Sequence, residues 1–271
     1  MITTSKGVKV RSISLYTTLI FLFFGSASIA IAAPYAAIVI DANNNAVLHQ
    51  QNSDMRLHPA GLTKLITLYA AFDAIRLNEF SLDDMVTISE KSAAEPAVKL
   101  GLRAGLEIKV RYLIRAVGVK GANDAATALA EKISGSEAAF VDKLNRTSKR
   151  LGLTRSSWSN AHGLTEQGHL STVRDISTLM LSHKREFPDF FSLFGRLSTD
   201  TGMKTASNSS KRILTSIEGI EASRYGYTRA AGFCAAVYVT RGSRSIVVVV
   251  HGANSTKDLV DRLSALIDAN I

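Results

Sequence analysis

Two β-type runs near opposite ends of the chain constrain the fold more than anything between them. Tyr35-Ala36-Ala37-Ile38-Val39-Ile40-Asp41 is closed by Asn43-Asn44-Asn45 and returns as Val47-Leu48-His49-Gln50, which reads as a hairpin. Residues 232–240 and 245–251 make a second β pair around a turn containing Gly242. Residues 256–269 follow, with Leu259, Val260, Leu263, Leu266 and Ile267 on one helical face. The middle has helical spacing at 110–119, 123–133, 136–151 and 172–182, with Ser136 before Glu137 and Thr172 before Asp175 as start signals. Residues 190–210 are mixed and polar. This order implies an α/β (α+β) fold: an antiparallel sheet built from both chain ends, flanked by helices, with a helical subdomain inserted at about 80–185. A cleft is expected where the helical part meets the sheet, reached by the helix after Pro59, the turn before Asn123 and a late strand edge.

Residues 1–33 carry Lys6, Lys9 and Arg11, an uncharged run centred on Leu19-Ile20-Phe21-Leu22-Phe23-Phe24, and Ala30-Ile31-Ala32-Ala33 before Pro34. That is the three-part pattern of a secretory signal peptide, with cleavage expected near Ala32 or Ala33 and a periplasmic or secreted product. Uncleaved, the run is long enough to span a bilayer, and only then is a membrane partner expected. No further domain or anchor tail is expected after the last helix. Removing the segment takes three positive charges and lowers the formal net charge from +9 to +6. A basic exported protein can lean on anionic cell-wall polymers, whereas nucleic acid is not expected, because Lys and Arg are scattered without a dense run or interleaved aromatics. The single Cys234 excludes an intramolecular disulfide and reads as a buried thiol in a strand. The six histidines show no ligand spacing, so no metal or other cofactor is expected; His162 and Trp158 read as loop packing.

Several segments carry a resemblance when taken together and in order. They are Ile38-Val39-Ile40-Asp41-Ala42, His58-Pro59-Ala60 with Leu62-Thr63-Lys64, Ala122-Asn123-Asp124-Ala125-Ala126, Asn160-Ala161-His162-Gly163-Leu164, Ser171-Thr172-Val173-Arg174-Asp175 and Gly226-Tyr227-Thr228-Arg229-Ala230-Ala231-Gly232-Phe233. Residues 34–271 resemble the penicillin-binding domain of serine-type D-alanyl-D-alanine carboxypeptidases, the low-molecular-mass penicillin-binding proteins of the β-lactamase/transpeptidase-like family. The resemblance implies that fold and a setting in peptidoglycan metabolism, where such enzymes trim the terminal D-alanine from stem peptides.

The three motifs that carry the family's chemistry are all altered here. In Ser-x-x-Lys the hydroxyl attacks a peptide carbonyl and the amine helps remove its proton; this chain has Gly61 and Lys64, the base position without the nucleophile. In Ser-x-Asn the hydroxyl relays a proton and the amide orients substrate; this chain has Gly121 and Asn123. In Lys-Thr-Gly a cation and a hydroxyl meet the substrate's carboxylate; this chain has Arg224, Tyr225 and Gly226, where Arg can still grip a carboxylate and Tyr225 either points away or obstructs. Lys204-Thr205-Ala206 mimics the third motif but reads as loop. Loss of a serine hydrolase's nucleophile costs on the order of a million-fold in turnover.

The expectation is therefore an exported, catalytically inactive homologue. It binds a stem peptide through Asn123, Arg224 and Lys64, or, with the cleft closed, partners active cell-wall enzymes. One alternative is an active carboxypeptidase or hydrolase with a non-standard nucleophile, Thr63 being nearest in sequence but turned about 100° from Lys64 on the helix. Another is a structural or regulatory module that binds through its surface alone.

Overall fold

The computed structural model describes residues 1–4, 7, 33–96 and 98–271. Nearly all of the signal segment lies outside the described residues, and with it the expectation of cleavage. Among the described residues no helix is long and apolar enough to cross a membrane.

Strand β1 (Ala36–Asp41) is apolar at every position but the last because it is covered on both faces. Ala36, Ile38 and Ile40 enter one core while Ala37 and Val39 enter a second. It pairs antiparallel with β2 (Val47–Gln51) on one side and with β9 (Arg244–Ala253) on the other. The sheet continues through β8 (Gly232–Arg241) to β7 (Ile220–Thr228), in the order β2-β1-β9-β8-β7. Both chain ends thus contribute to one antiparallel sheet, as the order of the runs implied.

One face carries α8 (Lys211–Ser216) and α9 (Thr256–Asp268), which bury Ile213, Leu259, Leu263 and Ile267 against Val237, Val248 and Val250. On the other face α6 (Val173–Glu186) packs against β1, β8 and β9. Helix α1 (Thr63–Arg76) lies between α6 and the pair α4 (Asn123–Ser134) and α5 (Glu137–Arg150), so its residues from Thr63 to Ala74 are all buried. Helix α6, within the segment read as the insertion at about 80–185, thus touches both α1 and the sheet.

The caps read from sequence form: Ser136 Oγ accepts the Ala139 amide at 3.2 Å and Thr172 Oγ1 accepts that of Asp175 at 3.0 Å. Spacing did not disclose the short elements. These are β3 (Met85–Thr87) paired with β4 (Glu107–Lys109), α2 (Glu90–Ala94), α7 (Pro188–Phe191), and β5 (Ser198–Asp200) paired with β6 (Thr205–Ser207). Thr205, read as loop, opens β6. Helix α3 (Val110–Arg115) runs on as a π-helical turn, Ala116–Lys120, which ends at Gly121 in the left-handed conformation (φ 78°).

Asp124, in the first turn of α4, fixes that helix to the preceding loop. Its buried carboxylate accepts the amides of Leu100, Gly101 and Leu102 at 2.8–3.0 Å, and that of Ala125 at 2.9 Å. Asp124→Ala would strand these donors, and we expect a loss of about 3–5 kcal/mol in urea unfolding. An unchanged midpoint would show that water replaces the carboxylate.

Candidate active site

The chain enters α1 through a 3₁₀ turn, Ala60–Leu62, in which Ala60 holds φ 48°, a left-handed conformation that costs an alanine roughly 1–2 kcal/mol. Gly61 follows. A Cβ at Gly61 would lie 2.6 Å from the Tyr225 carbonyl oxygen and 3.0 Å from Gly226 Cα. Conversely, a Cβ on Gly226 would lie 2.4 Å from the Gly61 nitrogen. The obstacles are backbone atoms of β7 and of the turn, so the position lacks both a nucleophile and the room for one.

Lys64 lies in the first turn of α1. It is buried, and its Nζ donates to Asn123 Oδ1 at 2.7 Å and to the His162 carbonyl at 2.5 Å. Burial, and then the charge of Arg224, push its pKa from 10.5 down to about 7, against the pull of Glu95 and Asp124. The amide nitrogen of Asn123 donates to the Pro96 carbonyl at 3.0 Å, so Asn123 bridges the Lys64 amine to the loop before α4 rather than capping that helix.

Arg224 departs from expectation. The sequence suggested a cation gripping a carboxylate, but its side chain is buried and turned toward the π-helical turn. Nη1 donates to the Val117 and Gly118 carbonyls at 2.9 and 3.0 Å, Nη2 to Ser209 Oγ, and Nε to its own neighbour's carbonyl, that of Tyr225, at 3.3 Å. Burial lowers its pKa to about 10, still charged at neutral pH. A Cβ on Gly121 would stand 2.8 Å from Nη2, so the guanidinium fills the space where the second motif's serine side chain would begin. The Tyr225 ring packs beside Phe233 against the core under α9, with centroids 6.4 Å apart. Its backbone, not its ring, closes the site at Gly61.

The hydroxyl nearest in sequence, that of Thr63, is already engaged. Thr63 Oγ1 lies 2.8 Å from His169 Nε2, both residues being fully buried. His169 Nδ1 accepts the Ser159 amide at 2.9 Å, so Nε2 carries the proton and donates it to Thr63. That imidazole cannot serve Thr63 as a base. His162 sits with Nε2 3.5 Å from Glu95 and 3.6 Å from Glu137, a trio close enough to suggest a metal site. Its Nδ1 accepts the Leu164 amide at 3.2 Å, which puts the proton on Nε2 and leaves no lone pair facing the carboxylates. Trp158 packs as expected, edge-on to His169. Cys234 is buried, its thiol pushed up to about 12 by burial.

A cavity of about 300 Å³ remains in front of these groups, walled by Lys64, Asn123, Arg224, Gly226, Tyr227 and Lys120 among others. Lys120, Ser209 and Val98 line it without having been read from sequence. Lys204 and Thr205 do not reach it. A larger groove of about 520 Å³ shares no residue with the motifs, and its arginines already meet carboxylates: Arg150 with Asp73, Arg174 with Asp54, Arg185 with Glu186.

A two-ended antiparallel sheet, a lysine at the head of a buried helix and an asparagine facing it across a cleft define a penicillin-binding serine peptidase scaffold. Penicillin-binding protein 5 from Haemophilus influenzae superposes with a TM-score of 0.82 at 26% identity, over 88% of this chain and 70% of that one. Penicillin-binding protein D2 from Listeria monocytogenes, solved with cefotaxime bound, gives 0.79 at 26% identity, over 87% and 96%. The chain belongs to the D-alanyl-D-alanine carboxypeptidase family, whose sequence pattern matches residues 25–255. It is 30% identical over 237 residues to D-alanyl-D-alanine carboxypeptidase DacF of Bacillus subtilis, covering 86% of this chain and 61% of that protein. It is 28% identical to DacC of Escherichia coli over 260 residues, covering 91% and 65%. The chain thus spans less than two thirds of the length of these relatives.

Two measurements test this geometry. Gly121→Ser should destabilise by roughly 1–3 kcal/mol through strain and the clash with Arg224, and Arg224→Lys in the same chain should relieve the clash, giving a coupling of about 1 kcal/mol in a double-mutant cycle. Additivity would separate the two positions. For Lys64, the unfolded chain holds its proton up to about pH 10.5 and the folded chain releases it near 7. Stability should therefore rise with pH across that window, the burden being full below pH 7. Lys64→Met should remove a rise on the order of 5 kcal/mol from the pH profile of unfolding.

Proposed function

We propose that this protein is an exported, non-hydrolysing member of its family that holds the end of a peptidoglycan stem peptide in the residual cleft. The observation that carries the reading is the backbone contact between Gly61 and Gly226. An acyl-enzyme needs a nucleophile and space around the attacked carbonyl, and at this position neither a hydroxyl nor a Cβ has room. The Lys64–Asn123 pair is retained beside a cavity with no carboxylate in its walls among the described residues, which suits an anionic, amide-bearing ligand. Export rests on the signal-like pattern of residues 1–33 and on membership of a cell-wall enzyme family.

Intact-mass analysis after incubation with penicillin checks the reading. We expect no adduct on the wild-type chain and none on Gly61→Ser, whose new side chain would have to displace the Tyr225–Gly226 backbone. Release of D-alanine from a stem peptide should fall about a million-fold below that of an active relative. An adduct on the wild-type chain overturns the reading, and one on Gly61→Ser alone shows that β7 can withdraw.

A further inference from the structure

The cleft retains positive charge, but two of its three cations are already committed. Arg224 is 1% exposed, and its Nε, Nη1 and Nη2 all donate to protein acceptors. Lys64 is 3% exposed and spends two donors on Asn123 and His162. Lys120 differs from both. It ends the π-helical turn one residue before Gly121, is partly exposed, lines the cavity, and has no hydrogen-bond or ion-pair partner for its amine among the described residues. Among the described residues, no Asp or Glu lines the cavity to neutralise it.

We propose that Lys120 is the cation that receives the terminal carboxylate of the cleft's ligand, replacing the third-motif cation that Arg224 no longer offers. The assignment rests on the reading of the cleft as a peptide site. A lysine amine has three donors on a flexible stem, so it can follow a carboxylate that a buried, fully engaged guanidinium cannot reach. The rest of the wall fixes the ligand's size and character. Val98 and Tyr227 are half exposed at the cavity, and the Tyr227 ring is held by Phe233 with centroids 4.4 Å apart. A volume of about 300 Å³ is at the small end for ligand sites, suited to a short peptide terminus with small apolar side chains rather than to a glycan strand.

The test is a titration of the full chain, followed by NMR or calorimetry, with diacetyl-L-lysyl-D-alanyl-D-alanine and with the same peptide ending in a carboxamide. The wild type should prefer the free acid by about tenfold or more, the worth of one charge-assisted contact. Lys120→Ala should bring the two peptides to near-equal affinity, and Lys120→Arg should keep the preference. Because Lys120 has no protein partner to strand, these variants should melt with the wild type, which calorimetry verifies. A preference that survives in Lys120→Ala overturns the assignment while leaving the cleft a peptide site. Failure of the wild type to bind either peptide overturns the peptide-site reading itself, and the assignment with it. Displacement of the acid peptide by inorganic phosphate of equal affinity would show a generic anion site and overturn the peptide-carboxylate assignment.

Discussion

The geometry of the cleft depends on how one buried charge is satisfied. Arg224 carries a guanidinium into the interior, where an uncompensated cation is severely unfavourable. No carboxylate is among its hydrogen-bond partners. The compensation comes from the Val117 and Gly118 carbonyls, which the π-helical turn leaves pointing across the cleft, and from Ser209. These bonds draw β7 and the turn together. With β7 held there, its Tyr225–Gly226 backbone lies against Gly61 at a distance only glycine permits. The loss of a side chain at the nucleophile position and the reorientation of the third-motif cation are thus parts of one arrangement.

Gly121 completes it. Lengthening the third-motif cation from Lys to Arg adds a planar group that needs space, and the space is that of a side chain at position 121. The left-handed backbone there is the conformation glycine adopts at least cost. Beside this altered centre, Lys64 keeps the environment of a base: buried, facing Arg224, with a pKa near neutral. Ala60 keeps a strained backbone immediately before the vacant position. The helix head keeps these features around a position, 61, that carries no side chain.

Most of the sheet was legible because β1, β8 and β9 are covered on both faces, which forces apolar residues into consecutive positions. The N-caps at Ser136 and Thr172 were legible because their chemistry is local. Strand β7 was not legible from patterning. Its buried positions include Ala222, Ser223 and Arg224, so apolar alternation is absent, and only the motif resemblance placed a strand there. The π-helical turn follows from no simple periodicity. Arg224 and Lys120 show the limit most clearly: both are basic residues at a motif, and only the positions of acceptor carbonyls decide that one is a strut and the other free.

A serine restored at Gly61 would meet the same constraints. An attacking hydroxyl needs a base within reach, and Lys64 supplies one whose amine is about half deprotonated near pH 7. It also needs its carbonyl target between α1 and β7, and that gap is occupied by backbone as long as Arg224 pulls β7 toward the turn. Base strength is therefore not what the site lacks. Releasing the strut, by a shorter cation at 224 and a side chain at 121, is a physical precondition for chemistry at 61. The residual cavity, by contrast, needs no such release, since its walls at Lys120, Val98 and Tyr227 lie outside the strut's contacts. Room for a ligand and room for a nucleophile are therefore set by different parts of one cleft.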